Sequence, residues 1–200
     1  MKAAGWRILL LINSKKIMEI DQAIKNRRTI HIFSKKSVPS EVIEKSIVAA
    51  NQAPCHRRTF PWRFTNIGIK KRELLYQLQL TLKFGDMTVD QTSLKKIRDK
   101  MLNPSHLLIA TQLCSDNQVQ RLEDYAACAC AIQNLSLSLV ANDVGCKWST
   151  GKITKDINTY KIAEIDASDE EIIGFIWIGY GTEPPLIKRP LISTIYRESD

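Results

Sequence analysis

The side chains best suited to chemistry in this chain are cationic and polar groups set beside prolines and glycines. The stretch from residue 49 to 64, AANQAPCHRRTFPWRF, holds His56, Arg57 and Arg58 between Pro54 and Pro61. Proline removes a backbone donor and restrains the residue before it, so each Pro marks a boundary. Three polar or cationic side chains are thus fixed between two rigid elements, an arrangement suited to an anionic or planar ligand. Arg27, Arg28 and Thr29 follow a first amphipathic segment, and Lys188 and Arg189 lie far away in a Pro-rich stretch. Arginine offers a planar fork of donors that matches phosphate. A polar loop, Lys147 to Gly151, adds a glycine that permits close backbone approach. Cys55 and His56 pair a thiol with a base, but sequence neighbours seldom face each other as nucleophile and base.

Composition bounds what these groups serve. With 200 residues, 44% hydrophobic and 25% charged, the chain reads as one ordinary globular domain over residues 18–200, preceded by an extension over residues 1–17. The formal charge of +8 fits nucleic acid, an acidic membrane or a small anion. Lys and Arg are scattered, with no basic block and no finger or RNP-type motif, which argues against nucleic acid. No run approaches the roughly 20 apolar residues that span a bilayer, so no membrane role is expected. The opening MKAAGWRILLLINSKK has a short apolar core and no convincing small-residue cleavage site.

Five cysteines without CxxC point to a reduced, cytoplasmic protein. Cys128 and Cys130, two apart in a helical run, point in different directions and share no metal. Cys114 and Cys146 read as small buried hydrophobes.

The elements that must position the polar groups follow from periodicity. Residues 18–27 give a short helix, and Ser40 is the expected N-cap of a second, with Val42, Ile43, Ile47 and Ala50 inward. A strand is predicted over 62–69, then a helix over 70–83 carrying Leu74, Leu75, Leu78 and Leu82 on one side. An exposed helix follows over 88–101, and an apolar strand over 106–113. Residues 122–142 carry the longest helical signal, dense in Ala, Cys, Leu and Ser, and apolar nearly all round, as in a central helix or one facing a partner subunit. Gly145 ends it. A short helix over 153–164 and a strand over 171–180 complete the pattern, which lacks βαβ regularity and predicts an α+β fold.

Four landmarks in register then resemble the FMN-dependent nitroreductase family. They are Arg27, Arg28, Thr29, His31 and Phe33; then Ala50, Ala53 and Pro54 leading to Pro61, Trp62, Arg63 and Phe64; then Trp148, Ser149, Thr150 and Gly151; and a closing Ile178-Gly179-Tyr180-Gly181 with Pro184, Pro185, Lys188, Arg189 and Pro190. The resemblance spans residues 18–191. It implies a sheet sandwiched by helices and an intertwined homodimer with FMN at the subunit interface. It also implies ping-pong hydride transfer from NADH or NADPH to a nitroaromatic, quinone or similar small-molecule acceptor.

By the same resemblance, Arg27, Arg28, Lys188 and Arg189 meet on the FMN phosphate, and the Thr29 hydroxyl reaches the phosphate or ribityl chain. Trp148, Ser149, Thr150 and Gly151 lie over the flavin. Gln52 and His56 reach it from the other subunit. The plainer alternatives are surface arginines, Trp148 as core, and His56 as a solvated loop histidine.

Two departures stand out. Arg58, Thr59, Phe60, Pro61 and Trp62 replace the family's Asn-x-Gln-Pro-Trp run, bringing the chain nearer a smaller subgroup with Ala-Pro-x-His and Pro-Trp-Arg-Phe. His31 stands where many members carry a cation near the flavin pyrimidine, so reduction is expected to be harder here or pH-dependent. A catalytically poor FMN carrier or regulatory protein is the alternative function, and a basic nucleic-acid-binding domain the more distant one.

Overall fold

The computed structural model describes residues 18–182 and 187–199. Strands β1 (Trp62–Asn66), β2 (His106–Leu113), β3 (Gly145–Ser149) and β4 (Glu170–Gly179) form one antiparallel sheet in the spatial order β1-β2-β4-β3. The central pair, β2 and β4, reads as near-continuous apolar runs because both faces are covered. A register shift at Ala110/Thr111 pairs Ala110 with Gly174 and Thr111 with Ile172, leaving Ile173 as the extra residue of a bulge. Ile173, Ile176 and Ile178 consequently face one way and Ile172, Phe175 and Trp177 the other.

Helices α2 (Ser40–Ala50) and α5 (Gln118–Val140) close the first face. Ile43, Ala50, Ala127, Ala131, Leu135 and Leu139 pack there against Leu108, Ala110 and Ile176. Small residues let the two helices approach: the Ser46 hydroxyl donates to Val42 O at 2.8 Å and lies 3.3 Å from the Ser138 hydroxyl. The all-round apolar character of α5 thus fits its central place. A short α1 (Ile20–Asn26) packs onto α5 through Ala23.

The second face carries α3 (Ile69–Phe84), α4 (Gln91–Leu102), α6 (Lys152–Lys155) and α7 (Ile157–Ala163). Leu75, Tyr76, Ile97 and Met101 meet Leu107, Ile109, Phe175 and Trp177 there.

Several sequence expectations need correcting. Ser40 is the first helical residue and not the cap; Pro39 holds the cap position, and no side chain closes it. In α3 only Leu74 leaves the expected stripe: it is exposed, while Leu75 is buried and Leu78 and Leu82 pack half-buried, with Arg72 and Tyr76 added to the inner side. The reason lies across the helix pair: Arg72 turns inward, where its guanidinium donates twice to Met101 O of α4, at 2.9 and 2.7 Å. α4 is not merely an exposed helix, since Ile97 and Met101 are buried. α5 starts earlier than periodicity indicates because Asn117 caps it, accepting from Val119 N and Gln120 N. It ends at Val140, and Gly145 opens β3. β1 is shorter than predicted, and the helix expected over 153–164 is split by Asp156, which accepts from Asn158 N–H to cap α7. Cys114 is exposed just beyond β2, whereas Cys128 and Cys146 are buried and Cys130 is exposed. The expectation for residues 1–17 and part of the basic tail, residues 183–186, lie outside the described residues.

Candidate functional site

The basic N-terminal segment is stitched to the sheet edge. Thr29 bridges Cys146 in parallel, and Ile30 N–H donates to Cys146 O at 3.1 Å. Phe33 bridges Gly181, and Ser34 N–H donates to Tyr180 O. Buried Ile30 and Phe33 anchor the segment, leaving His31 and Ile32 exposed and Arg27, Arg28 and Thr29 half-buried beside β3. The half-buried Arg27 makes no side-chain hydrogen bond among the described residues, and its charge acts on the Cys146 thiol, whose dominant perturbation is burial that pushes its pKa up. Arg28 behaves differently. Its Nη1 donates to Lys25 O and, at 2.8 Å, to Arg27 O, placing a cation at the negative end of α1. In this structure the Arg28 side chain therefore serves the helix end, a local role that the sequence pattern alone did not indicate.

His31 is exposed, and Lys147 Nζ donates to its Nδ1 at 3.2 Å. The cation that position 31 lacks thus stands beside it on β3. Sequence reading missed Lys147 because residues 147–151 read as a loop; in the strand, alternation puts it on the face opposite Trp148.

The end of β3 is held from both sides. The Trp148 indole N–H donates to Ile173 O at 3.3 Å, its ring seated over Gly174, where an added Cβ would come within 2.1 Å of Nε1. Trp148 also packs against the α2–α5 core and, tilted, near Tyr125. On the opposite face the Trp177 indole N–H donates to Ser149 Oγ at 2.9 Å. Trp148 and Ser149 therefore belong to a strand, not to the loop expected, with Trp148 half-buried against the core.

Thr150 and Gly151 form the junction into α6. Gly151 has φ +155°, open to glycine and strained for other residues, and nothing lies within 4 Å of where its Cβ would be. Its carbonyl accepts from Thr154 N–H and Oγ1. The N–H groups of Thr150 and Gly151 find no acceptor among the described residues.

The remaining predicted residues lie apart from this edge. Gln52 lines a hollow beside Ala23, Asn134 and Ser138, between α1, α2 and α5. His56 sits in the 3-10 turn His56–Arg58, its Nε2 3.9 Å from Glu123, while Arg57 Nε donates to the same carboxylate at 3.1 Å. Cys55 Sγ lies 3.3 Å from the Thr59 hydroxyl, which donates to buried Asp124 at 2.5 Å. Cys55 and His56 thus form no nucleophile–base pair. Lys188 and Arg189 are exposed and make no hydrogen bond or ion pair among the described residues.

This arrangement can hold an anion at Arg27 and Thr29 and offer backbone donors at an open glycine further along the same edge. Among the described residues no group of His, Cys, Asp and Glu could hold a metal, and no helix is long and apolar enough to cross a membrane.

Comparison with known proteins identifies the fold and the family. The chain is 30% identical over 169 residues to the provisionally named NAD(P)H nitroreductase YfhC of Bacillus subtilis, covering 83% of this chain and 86% of the relative. Its fold superposes on a nitroreductase-like family protein from Bacillus cereus with a TM-score of 0.77 at 25% identity, covering 92% and 97% of the two chains. A provisionally named nitroreductase from Desulfovibrio desulfuricans, solved in complex with FMN, shares the fold with a TM-score of 0.70 at 20% identity, covering 92% and 98%. Residues 24–180, from the last turns of α1 to the end of β4, match the family model described as Nitroreductase family, and the chain belongs to that family.

Proposed function

We propose that this protein is an FMN-dependent oxidoreductase that passes a hydride from NADH or NADPH to a nitroaromatic, quinone or related small acceptor by a ping-pong mechanism. The observation that carries this reading is the seam between residues 29–31 and β3, continued to Gly151. One sheet edge presents a free arginine, a hydroxyl, a histidine–lysine pair and two unengaged backbone N–H groups beside an open glycine. The donor set fits the cofactor: a phosphate needs cations and hydroxyls, and a flat heteroaromatic ring needs an unobstructed face with N–H donors.

Bound FMN supplies the hydride-carrying chemistry, and the protein supplies binding, orientation and electrostatics. Arg27 and Thr29 would hold the phosphate, joined by Lys188 and Arg189. Thr150 and Gly151 would donate N–H groups to the ring edge. Lys147 and His31 would place positive charge beside the pyrimidine, favouring the anionic reduced ring. Arg28 keeps the α1 terminus, and with it Arg27, in position.

The reading includes a homodimer with the cofactor at its interface. The tail beyond residue 190 leaves Leu191, Ile192, Ile195 and Tyr196 exposed, an apolar arm with no seat among the described residues. Gln52 and His56 would then come from the second subunit. All five cysteines are free thiols, in keeping with a reducing cytoplasm.

The test is the visible spectrum of protein purified without added cofactor and again after FMN is supplied and the excess removed. About one flavin per subunit, reduced anaerobically by NADH or NADPH, is expected. Protein that retains no flavin under either condition sinks the proposal, and a flavin-saturated monomer in ultracentrifugation sinks the interface.

A further inference from the structure

A cleft of about 330 Å³ opens between the C-terminal halves of α3 and α4 and the β3–α6 junction. Its floor is Phe175 and Trp177, one wall is Gly151, and its charged lining is Lys83, Lys100 and Lys152. No carboxylate lines it. Lys147 is close enough that its charge, with that of Lys83, acts on Lys100. Burial first, and then these two like charges, pull the Lys100 ammonium below the ordinary lysine range.

Elsewhere on the same two helices, three cations have carboxylate partners. Lys71 meets Glu164 at 2.8 Å, Lys95 meets Asp99 at 2.7 Å, and Arg98 meets Glu73 at 2.9 Å. Lys83, Lys100, Lys147 and Lys152 form no ion pair among the described residues. Repelling cations gathered around a cavity add nothing to folding, and the cavity has the size of a small-molecule site.

We propose that this cleft receives the negatively charged part of a small-molecule reactant, a carboxylate or phosphate held by Lys83, Lys100 and Lys152 with the rest of the molecule over Phe175 and Trp177. The inference deepens the oxidoreductase reading and rests on it for the word reactant. Two sources share this chemistry: an anionic electron acceptor, and the phosphates of the nicotinamide reductant.

The first measurement needs no turnover. Binding of 4-nitrobenzoate and of neutral 4-nitrobenzyl alcohol is followed by quenching of tryptophan emission, Trp177 being in the cleft floor. The anion is expected to bind at least about tenfold more tightly, as a charge-assisted hydrogen bond implies. That preference should collapse in Lys100→Met and weaken in Lys152→Gln, an exposed site where misfolding is not at issue. Equal affinities in the wild type, or a preference surviving in both variants, overturns the proposal.

The second measurement separates the sources in flavin-loaded protein by timing the two half-reactions. A fall in the anionic-to-neutral acceptor ratio assigns the lysines to the acceptor, and a fall in the NADPH-to-NADH ratio assigns them to the reductant. Either outcome supports the cleft. Neither ratio moving overturns it, as does loss of flavin from the variants, which would give the lysines to the cofactor. A wild type that never carries flavin breaks the oxidoreductase reading instead, and the quenching experiment still decides the cleft.

Discussion

The two faces of the sheet are built on different terms. Toward α2 and α5 the interior is apolar, and its few buried polar groups, such as Ser46, Ser136 and Asp124, are hydrogen-bonded within the chain. Toward α3 and α4 the interior admits a guanidinium. Arg72 is only 4% exposed, burial lowers its pKa to about 10, and its recorded partner is the carbonyl of Met101 in the last turn of α4. The helix end supplies negative potential in place of a carboxylate. One face therefore closes the sheet, while the other tolerates charge and opens toward the lysine cleft. Stability should be concentrated on the first and ligand response on the second.

The largest expected effect is on the apolar face. Leu135 is fully buried in α5, and Leu135→Ala should lower unfolding free energy by about 2–5 kcal/mol in a denaturant titration. A loss under 1 kcal/mol would mean that the face is not packed as described.

At the sheet edge, Arg27→Ala should weaken FMN binding by about 1.5–3 kcal/mol in a fluorescence titration, the worth of a charged hydrogen bond. Arg28→Ala should instead show up mainly in thermal unfolding. Flavin affinity falling equally in both would return Arg28 to the phosphate.

On the charged face, Arg72→Met leaves Met101 O without its donors, and should cost about 1–3 kcal/mol of stability. A neutral or stabilising result would show that the guanidinium is kept for something other than folding.

The smallest effect is one of pH. Burial pushes the Cys128 thiol up to about 12, so between the unfolded value near 9 and the folded value the native state holds a proton that the unfolded chain has lost. Its contribution is complete below pH 9 and disappears as pH rises toward 12. Stability should thus fall by about 1 kcal/mol more between pH 8 and 10 in the wild type than in Cys128→Ala. Parallel pH profiles would contradict that burial.

Much of this layout was legible in the residues. The apolar run at 106–113 is β2 to the residue, because a strand buried on both faces announces itself by continuity. The register of Arg27, Pro54, Ser149 and Lys188 landmarks reached the fold without any structure. What sequence could not reveal was long-range compensation. Arg72 takes an inner place in α3 because Met101 O of α4 accepts from it, and Lys100 joins Lys83 and Lys147 because two helices converge near β3. Cys114 read as buried by residue type, yet it falls one step past the strand that would have covered it. Trp148 and Ser149 read as loop because polar residues and a glycine follow, whereas cross-strand pairing with Ile176 and Phe175 makes them strand.

The two indoles that grip the end of β3 have a thermodynamic meaning. Trp148 donates to Ile173 O from one face, and Trp177 donates to Ser149 Oγ from the other. The backbone that leads into Gly151 is therefore ordered by folding itself. A ligand arriving at those N–H groups meets a surface already shaped, so little further conformational entropy is lost on binding.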